Sequence, residues 1–233
     1  MSMRAIQSLG LNAADKIVAV SQAIADEYQD TLGWKNIAVI HNCIPVASLP
    51  PEMGLEERDL VRAALELSNK EFLIAVPSRF VWQKGHSIFF EAIHLLAQEK
   101  NWRPHCVLVG DGPLEAVIRR QVRGLGLSGQ TKFVPPIGQA KLFPLLQACD
   151  AVVLPSLHEP FGIAAAETMA MGIPTIVSAV EGLKELAGEG GAAMLVKPGD
   201  PRGLADAIWH LSRDKDLRSS LSEIGRRRVR ENF

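Results

Sequence analysis

The stretch "AVVLPSLHEPFGIAAAETMAMGIPTIVS", residues 151 to 178, decides how the fold is read. It carries two short apolar runs, "AVVLPS" and "PTIVS", with an alanine-rich stretch of helical character between them. Runs that are apolar throughout, rather than at alternate positions, mark strands covered on both faces, and such strands separated by helices build a parallel sheet. Two carboxylates interrupt the pattern. Glu159 precedes a Pro-Phe-Gly turn, and Glu167 lies eight residues later, beyond the alanines. A helix that only packs needs neither.

The same pattern recurs outward from this stretch, with "FLIAVPS", "HCVLVGDG" and "TKFV" before it and "AAMLV" after it, each separated by a helical pattern. Six such strands predict an α/β domain with a doubly wound parallel sheet, Rossmann-like, over residues 46–233. The helix signals agree. In "GDGPLEAVIRRQVRGLG", Pro113 is expected at the first helical position and Gly124 at the C-terminal cap, and in "GDPRGLADAIWHLSRD" Asp200 is the N-cap with Pro201 after it. Residues 1–45 read differently. "DKIVAVSQAIADEYQDTLGWKNIAVIHNCIP" is strand, helix, strand, with Ser21 capping the helix and Gly33 ending it, as in the tail of a second sheet. Pro45, Pro50 and Pro51 form the linker. The strands "KIVAV" and "IAVI" lack a sheet of their own, and such edges recruit another chain or a second copy.

Bulk properties narrow the functional classes. Apolar residues make up 47% of the 233 and charged residues 22%, the composition of a globular chain with a packed core. The 25 Lys and Arg are balanced by 26 Asp and Glu, so no global positive field draws nucleic acid. Anion binding must be local. Cys43, Cys106 and Cys149 are odd in number, widely spaced and set in apolar surroundings, which suits inert thiols in a reducing compartment. No apolar run reaches the ~18 residues of a membrane span, and "MSMRAIQSLGLNAAD" lacks the apolar core of a signal peptide, so a cytoplasmic location is expected. Arg226, Arg227, Arg228 and Arg230 read as a solvated helix face; peripheral attachment to the inner face of an anionic membrane is the second reading. "GLGLSG", residues 124 to 129, fits G-x-G-x-x-G but follows a helix and precedes a strand, the wrong order for holding a pyrophosphate. It is a helix-capping loop. GxxxxGK, HExxH and CxxC motifs do not occur, and no metal cluster is visible.

What remains is a local anion site. The chain leaves the strand near Pro155 and enters a helix near Phe161 or Gly162, and the open amides of a helix start attract a diphosphate. Gly162 lets a phosphate approach the backbone. In open parallel sheets ligands collect at this carboxyl edge. Glu167 leans back toward the helix start, where a carboxylate would repel phosphate but could bind two ribose hydroxyls. Glu159 faces the other end of the diphosphate, where a sugar would hang. As an isolated pair the two would read as solvated carboxylates. "PSRFVWQKG" adds Arg79 and Lys84 at the same edge, where both cations can converge on the diphosphate. Val134 and Pro135 of "FVPP" are candidates for backbone contacts to the base. His86 reads as a helix-start residue and His158 as a neighbour of the sugar end, each with donor contact as its further reading.

With these residues assembled, the sequence resembles the C-terminal domain of glycosyltransferase family 4, the retaining GT-B enzymes that take sugars from nucleoside diphosphates. "SRFVWQKG", "LVGDGP", "FVPP", "CDAVVLPSLHEPFGIAAAETMAMGIPTIVS" and "AAMLVKPGDPRGLADAI" follow the family's order, and the two glutamates form its E-x7-E element. "DKIVAVSQAIADEY" and "IAVIHNCIP" look like the end of the family's N-terminal domain. The resemblance implies a UDP-sugar or GDP-sugar donor, with Arg79 and Lys84 on the diphosphate, the amides around Phe161, Gly162 and Ile163 near sugar and phosphate, Glu167 on the ribose and Glu159 at the donor sugar as the catalytic residue. It further implies retention of configuration and an acceptor that is a sugar, a lipid or a protein. No metal or other cofactor is expected. "HNC" stands where the family commonly has Asn-Gly, and both ends of the chain look cut relative to the family, which suggests the donor-binding half of a transferase. A non-catalytic nucleotide-sugar-binding or assembly subunit is the alternative, and a related phosphorylase or epimerase a weaker third.

Overall fold

The computed structural model describes residues 14–233, so the reading of residues 1–13 lies outside the described residues. The six expected strands all form. They are β3 (Leu73–Pro77), β4 (His105–Val109), β5 (Thr131–Val134), β6 (Ala151–Leu154), β7 (Thr175–Ser178) and β8 (Met194–Val196). Every pair is parallel, and the order across the sheet is β5-β4-β3-β6-β7-β8. The chain starts at the centre with β3, builds outward through β5, then returns to the other side of β3 with β6. Neighbouring connections therefore diverge between β3 and β6 and leave a crevice at their carboxyl ends.

The continuous apolar runs exist because both faces of the sheet are covered. Ile74, Val76, Leu108, Val153 and Ile176 point into one layer, with Phe89, Phe90 and Ile93 of α3 (His86–Glu99) and Leu204, Ile208 and Leu211 of α8 (Pro201–Arg213). Leu73, Ala75, Val107, Val152 and Val177 point into the other, against Ala165, Ala166 and Met169 of α6 (Ile163–Ala170) and Leu183 and Leu186 of α7 (Glu181–Ala187). The alanines let α6 lie close on β6. Helix α9 (Lys215–Asn232) crosses back over α6.

Asp200 caps α8 by accepting from the Gly203 N–H at 2.9 Å, with Pro201 at the first helical position as expected. The other helix reading needs correction. Helix α4 spans Glu115–Gly124, so Pro113 lies in the preceding turn, and the left-handed residue that ends the helix is Gly126 (φ +70°) rather than Gly124. The reason is upstream: Gly112 packs against the backbone of Phe80, and the Leu114 N–H bonds the Phe80 carbonyl at 3.0 Å, which delays the first turn.

A buried arginine ties the amino ends of the two central strands. Arg62, on α2 (Leu55–Ala64), donates to the carbonyls of Ala148 (3.0 Å), Ser68 (3.1 Å) and Glu71 and lies 3.3 Å from Asp150. Asp150 in turn accepts from the Leu73 N–H at 2.8 Å, at the start of β3. Charge pairing plus several carbonyl acceptors is what a fully buried guanidinium requires.

Ahead of this domain, β1 (Ile17–Ala19) and β2 (Ile37–Val39) form a separate two-stranded parallel sheet joined by α1 (Gln22–Leu32). Ser21 caps α1, and Gly33 ends it in the left-handed region. The segment docks near the β6 loop: Ser21 Oγ also donates to the Pro160 carbonyl at 2.7 Å, and Glu185 of α7 accepts from the Gln22 N–H at 2.8 Å and bonds His41 Nε2 at 2.6 Å. Cys106 and Cys149 are buried, and burial pushes both thiols far up; Cys43 is exposed, not in the apolar surroundings expected of it. The arginine run is only partly solvated. Arg226 pairs with Glu52, and Arg228 donates to the Glu185 and Leu186 carbonyls, while Arg227 and Arg230 are exposed. Among the described residues no helix is long and apolar enough to cross a membrane.

Candidate functional site

The expected residues lie at the carboxyl edge of the sheet: Arg79 and Lys84 follow β3, Glu159, Phe161, Gly162, Ile163 and Glu167 follow β6, and Val134 and Pro135 lie at the end of the edge strand β5 and just after it. The loop after β3 carries Arg79, then a single 3-10 turn (Trp82–Lys84), and ends at Gly85 before α3. Gly85 has φ +64°, and a Cβ there would stand 1.9 Å from the Pro155 carbonyl oxygen, so only glycine permits this approach to the β6 loop. The Leu157 N–H donates to the Gln83 carbonyl at 2.7 Å and closes the same seam. Across the two loops Lys84 Nζ donates to Glu159 Oε2 at 2.5 Å, with both side chains mostly buried.

Lys84 and Arg79 do not form a pair of free cations: Lys84 is held by Glu159, whereas Arg79 is exposed and has no ion-pair partner among the described residues. A carboxylate beside an ammonium is mutually stabilising, and an arriving phosphate would compete with Glu159 for Lys84.

Helix α6 begins at Ile163, one residue after the expected start, because Gly162 takes the N-cap position at φ +100°. Glycine has no side chain to cap the helix, and none does, so the first amides stay open for an anion. The Phe161 ring does not face a ligand. It is 4% exposed and packs edge-on against Phe233 at 5.5 Å and beside His41 at 6.3 Å, leaving only its backbone for the site. Ile163 is 51% exposed, and Glu167 lies one turn further on the same side. Glu167 is half-buried; burial raises its carboxyl above the usual 4.5, and a hydrogen bond from Gln139 Nε2 at 3.1 Å pulls the other way.

Gln139 was not foreseen from sequence. It opens α5 (Gln139–Gln147), five residues beyond Val134, and so joins the loop after β5 to Glu167. In that loop the Val134 carbonyl already accepts from the Gly110 N–H at 3.0 Å, and Pro135 and Pro136 have no N–H, so Pro135 can offer only its carbonyl.

The two histidines separate. His86 is the first residue of α3 and is 3% exposed; its Nε2 lies 3.1 Å from Ser78 Oγ and its ring meets Phe80 edge-on at 5.1 Å. It supports the loop on both sides of Arg79 and lies beneath the surface a donor would occupy. Burial, and then the nearby Lys84 charge, lowers its pKa to about 4. His158 is part-exposed and bonds Glu181 through Nδ1 at 3.1 Å. Among the described residues no group of three or more His, Cys, Asp or Glu side chains is placed to hold a metal ion.

A doubly wound parallel sheet with an open helix start, two cations and two carboxylates on the loops and helix start at its switch point is an α/β domain of the kind that places its ligand site at this edge. Residues 57–228 match the family model "Glycosyl transferases group 1", and the chain belongs to that family. It is 32% identical over 218 residues to the lipopolysaccharide core biosynthesis glycosyltransferase LpsD of Rhizobium meliloti, covering 93% of this chain and 59% of that protein. Against a D-inositol 3-phosphate glycosyltransferase of Corynebacterium urealyticum it is 30% identical over 220 residues, covering 91% of this chain and 51% of the relative. The chain thus spans little more than half the length of these relatives. Among solved structures, the sucrose-phosphate synthase of Thermosynechococcus elongatus superposes with a TM-score of 0.85 at 28% identity, over 99% of this chain and 57% of that one. HepE of Anabaena, solved in complex with UDP and glucose, gives 0.87 at 24% identity, over 99% and 62%, and shares the fold.

Proposed function

We propose that this chain is the donor-binding half of a retaining glycosyltransferase, which holds a nucleoside diphosphate sugar for transfer to an acceptor sugar, lipid or protein. One observation carries the reading: Arg79, Lys84, Glu159, the open start of α6 and Glu167 lie along one carboxyl edge, on the loops that flank the switch point. The diphosphate lies on the α6 amides with Arg79 above it, Glu167 takes the ribose hydroxyls, and the sugar extends toward Glu159. During transfer the bond from the sugar's anomeric carbon to the diphosphate oxygen breaks, and its electron pair leaves with the diphosphate. The acceptor oxygen bonds that carbon and passes its proton to the departing diphosphate oxygen. Arg79, Lys84 and the helix start stabilise the growing charge on the leaving group, an electrostatic role a divalent ion fills in other sites. Retention is carried over from the family resemblance.

Titration calorimetry with UDP, GDP, ADP and the corresponding glucose esters tests the reading, and the UDP complex of the similarly folded HepE makes UDP the first nucleotide to try. Binding of one diphosphate with a base preference, weakened in Arg79→Ala, supports it. A folded sample that binds none of them refutes it. A second reading, a nucleotide-sugar-binding subunit that pairs with another chain, is favoured by Val18 (54% exposed) on β1 and Ile40 (62%) just after β2. Sedimentation of a monomer at high concentration would count against it.

A further inference from the structure

We infer that Glu181 is a positioning residue of the donor site: through the Glu159 backbone it fixes where the Glu159 side chain meets the donor sugar. The inference rests on the donor reading above and adds a group outside the E-x7-E element. Glu181 is the first residue of α7, on the side of the β6 loop away from Lys84. Its Oε2 accepts from the Glu159 N–H at 3.1 Å, and its Oε1 lies 3.1 Å from His158 Nδ1. The next residue completes the grip. The Gly182 N–H donates to the Glu159 carbonyl at 3.1 Å, and a Cβ on Gly182 would stand 2.3 Å from the Pro160 carbonyl oxygen and 2.5 Å from Phe161 Cα, so α7 starts flush against the loop.

Both backbone groups of Glu159 are thus held from α7, while its carboxylate is held from the β3 loop by Lys84. The two anchors come from opposite sides and fix different atoms. When a donor phosphate draws on Lys84, the α7 anchor is what keeps Glu159 in register. His158 Nδ1 meets the second Glu181 oxygen, so both oxygens of the carboxylate have partners on the β6 loop.

A merely structural role for Glu181 is available, since an acidic side chain in the first turn of α7 favours the helix dipole. Two substitutions separate the roles. Glu181→Gln removes the charge and keeps an acceptor oxygen for the Glu159 N–H; Glu181→Ala removes both. Each is titrated with UDP and UDP-glucose, and with GDP and GDP-mannose, while amide hydrogen exchange is read at Glu159. The expected result is that Glu181→Ala weakens the sugar-bearing donor about tenfold, in the range of one lost hydrogen bond to a charged group, weakens the bare diphosphate far less, and speeds exchange at Glu159, with Glu181→Gln restoring most of both. Equal losses for Gln and Ala would reduce Glu181 to a helix charge and overturn the inference. So would faster exchange at Glu159 with unchanged preference for the sugar-bearing donor. If the wild type binds no nucleotide, the donor reading itself falls and this role with it, and slow exchange at Glu159 would then mark the clamp as structural only.

Discussion

Lys84 and Glu159, 75 residues apart in sequence, are joined at 2.5 Å across the crevice where the sheet order reverses. The pair couples a candidate phosphate ligand to a candidate sugar ligand. Removing either partner should therefore act on different parts of the donor. Lys84→Met should weaken UDP about tenfold, the scale of a charge-assisted contact. Glu159→Gln should leave UDP binding intact or tighter, because Lys84 is released, yet remove the gain that UDP-glucose shows over UDP. Calorimetry on both variants checks this, and a Glu159→Gln protein that loses UDP as severely as Lys84→Met would place the carboxylate on the diphosphate.

Glu167 makes the second prediction, because a site carboxylate that burial holds above its usual 4.5 is a cost to folding. The sign follows from linkage: a raised folded pKa gives stability that is present below the unfolded value and is lost as pH rises through the folded one. Glu167→Gln should thus be more stable than wild type at pH 7, with the gain vanishing as pH falls below the ordinary carboxylate range. The same variant should no longer distinguish UDP from 2′-deoxy-UDP. Calorimetric melting at pH 7 and below the carboxylate range, with those two titrations, tests the pairing of stability gained with ribose recognition lost.

What the sequence revealed and what it hid follow from the range of the interactions involved. The central strands were legible because parallel strands buried on both faces are apolar at nearly every position, the part-exposed edge strands β5 and β8 because they stand between helical patterns, and Ser21, Asp200 and Pro201 because caps act within three residues. The carboxyl edge followed from strand direction. The bond from Gln139 to Glu167, the Glu181 grip on Glu159 and the capture of Lys84 by Glu159 were not legible, since each joins separate loops whose approach depends on backbone contacts such as Gly85 on Pro155. Arg62 was hidden for the same reason: its acceptors are mostly carbonyls, which sequence does not show.

Gly85 yields a prediction about architecture. A methyl group there meets the Pro155 carbonyl, a backbone atom that cannot rotate aside, and φ of +64° adds strain of its own. Gly85→Ala should destabilise the fold by about 3 kcal/mol, at the upper end of ordinary point substitutions, and in the surviving folded protein Lys84 should sit away from Glu159 and UDP should bind more weakly. Urea denaturation measures the first and calorimetry the second. Wild-type stability in the variant would mean that the loop can shift as a unit.

His86 provides a pH signature. Its ring is packed against Phe80 and bonded to Ser78, and burial, reinforced by Lys84, lowers its pKa from 6.5 to about 4. Between those values the unfolded chain binds a proton that the folded chain does not, so stability rises with pH across the window. The contribution is complete above pH 6.5, is lost as pH falls toward 4, and amounts to about 3 kcal/mol for a group this buried. His86→Gln has no proton to bind there, and the carboxylates that also titrate are common to both proteins and cancel in the difference. Wild type should therefore lose its stability margin over His86→Gln steadily from pH 6.5 to 4. Parallel stability curves for the two proteins would show that the imidazole is solvated in solution, and would remove the support it gives to Ser78 and Phe80 on either side of Arg79.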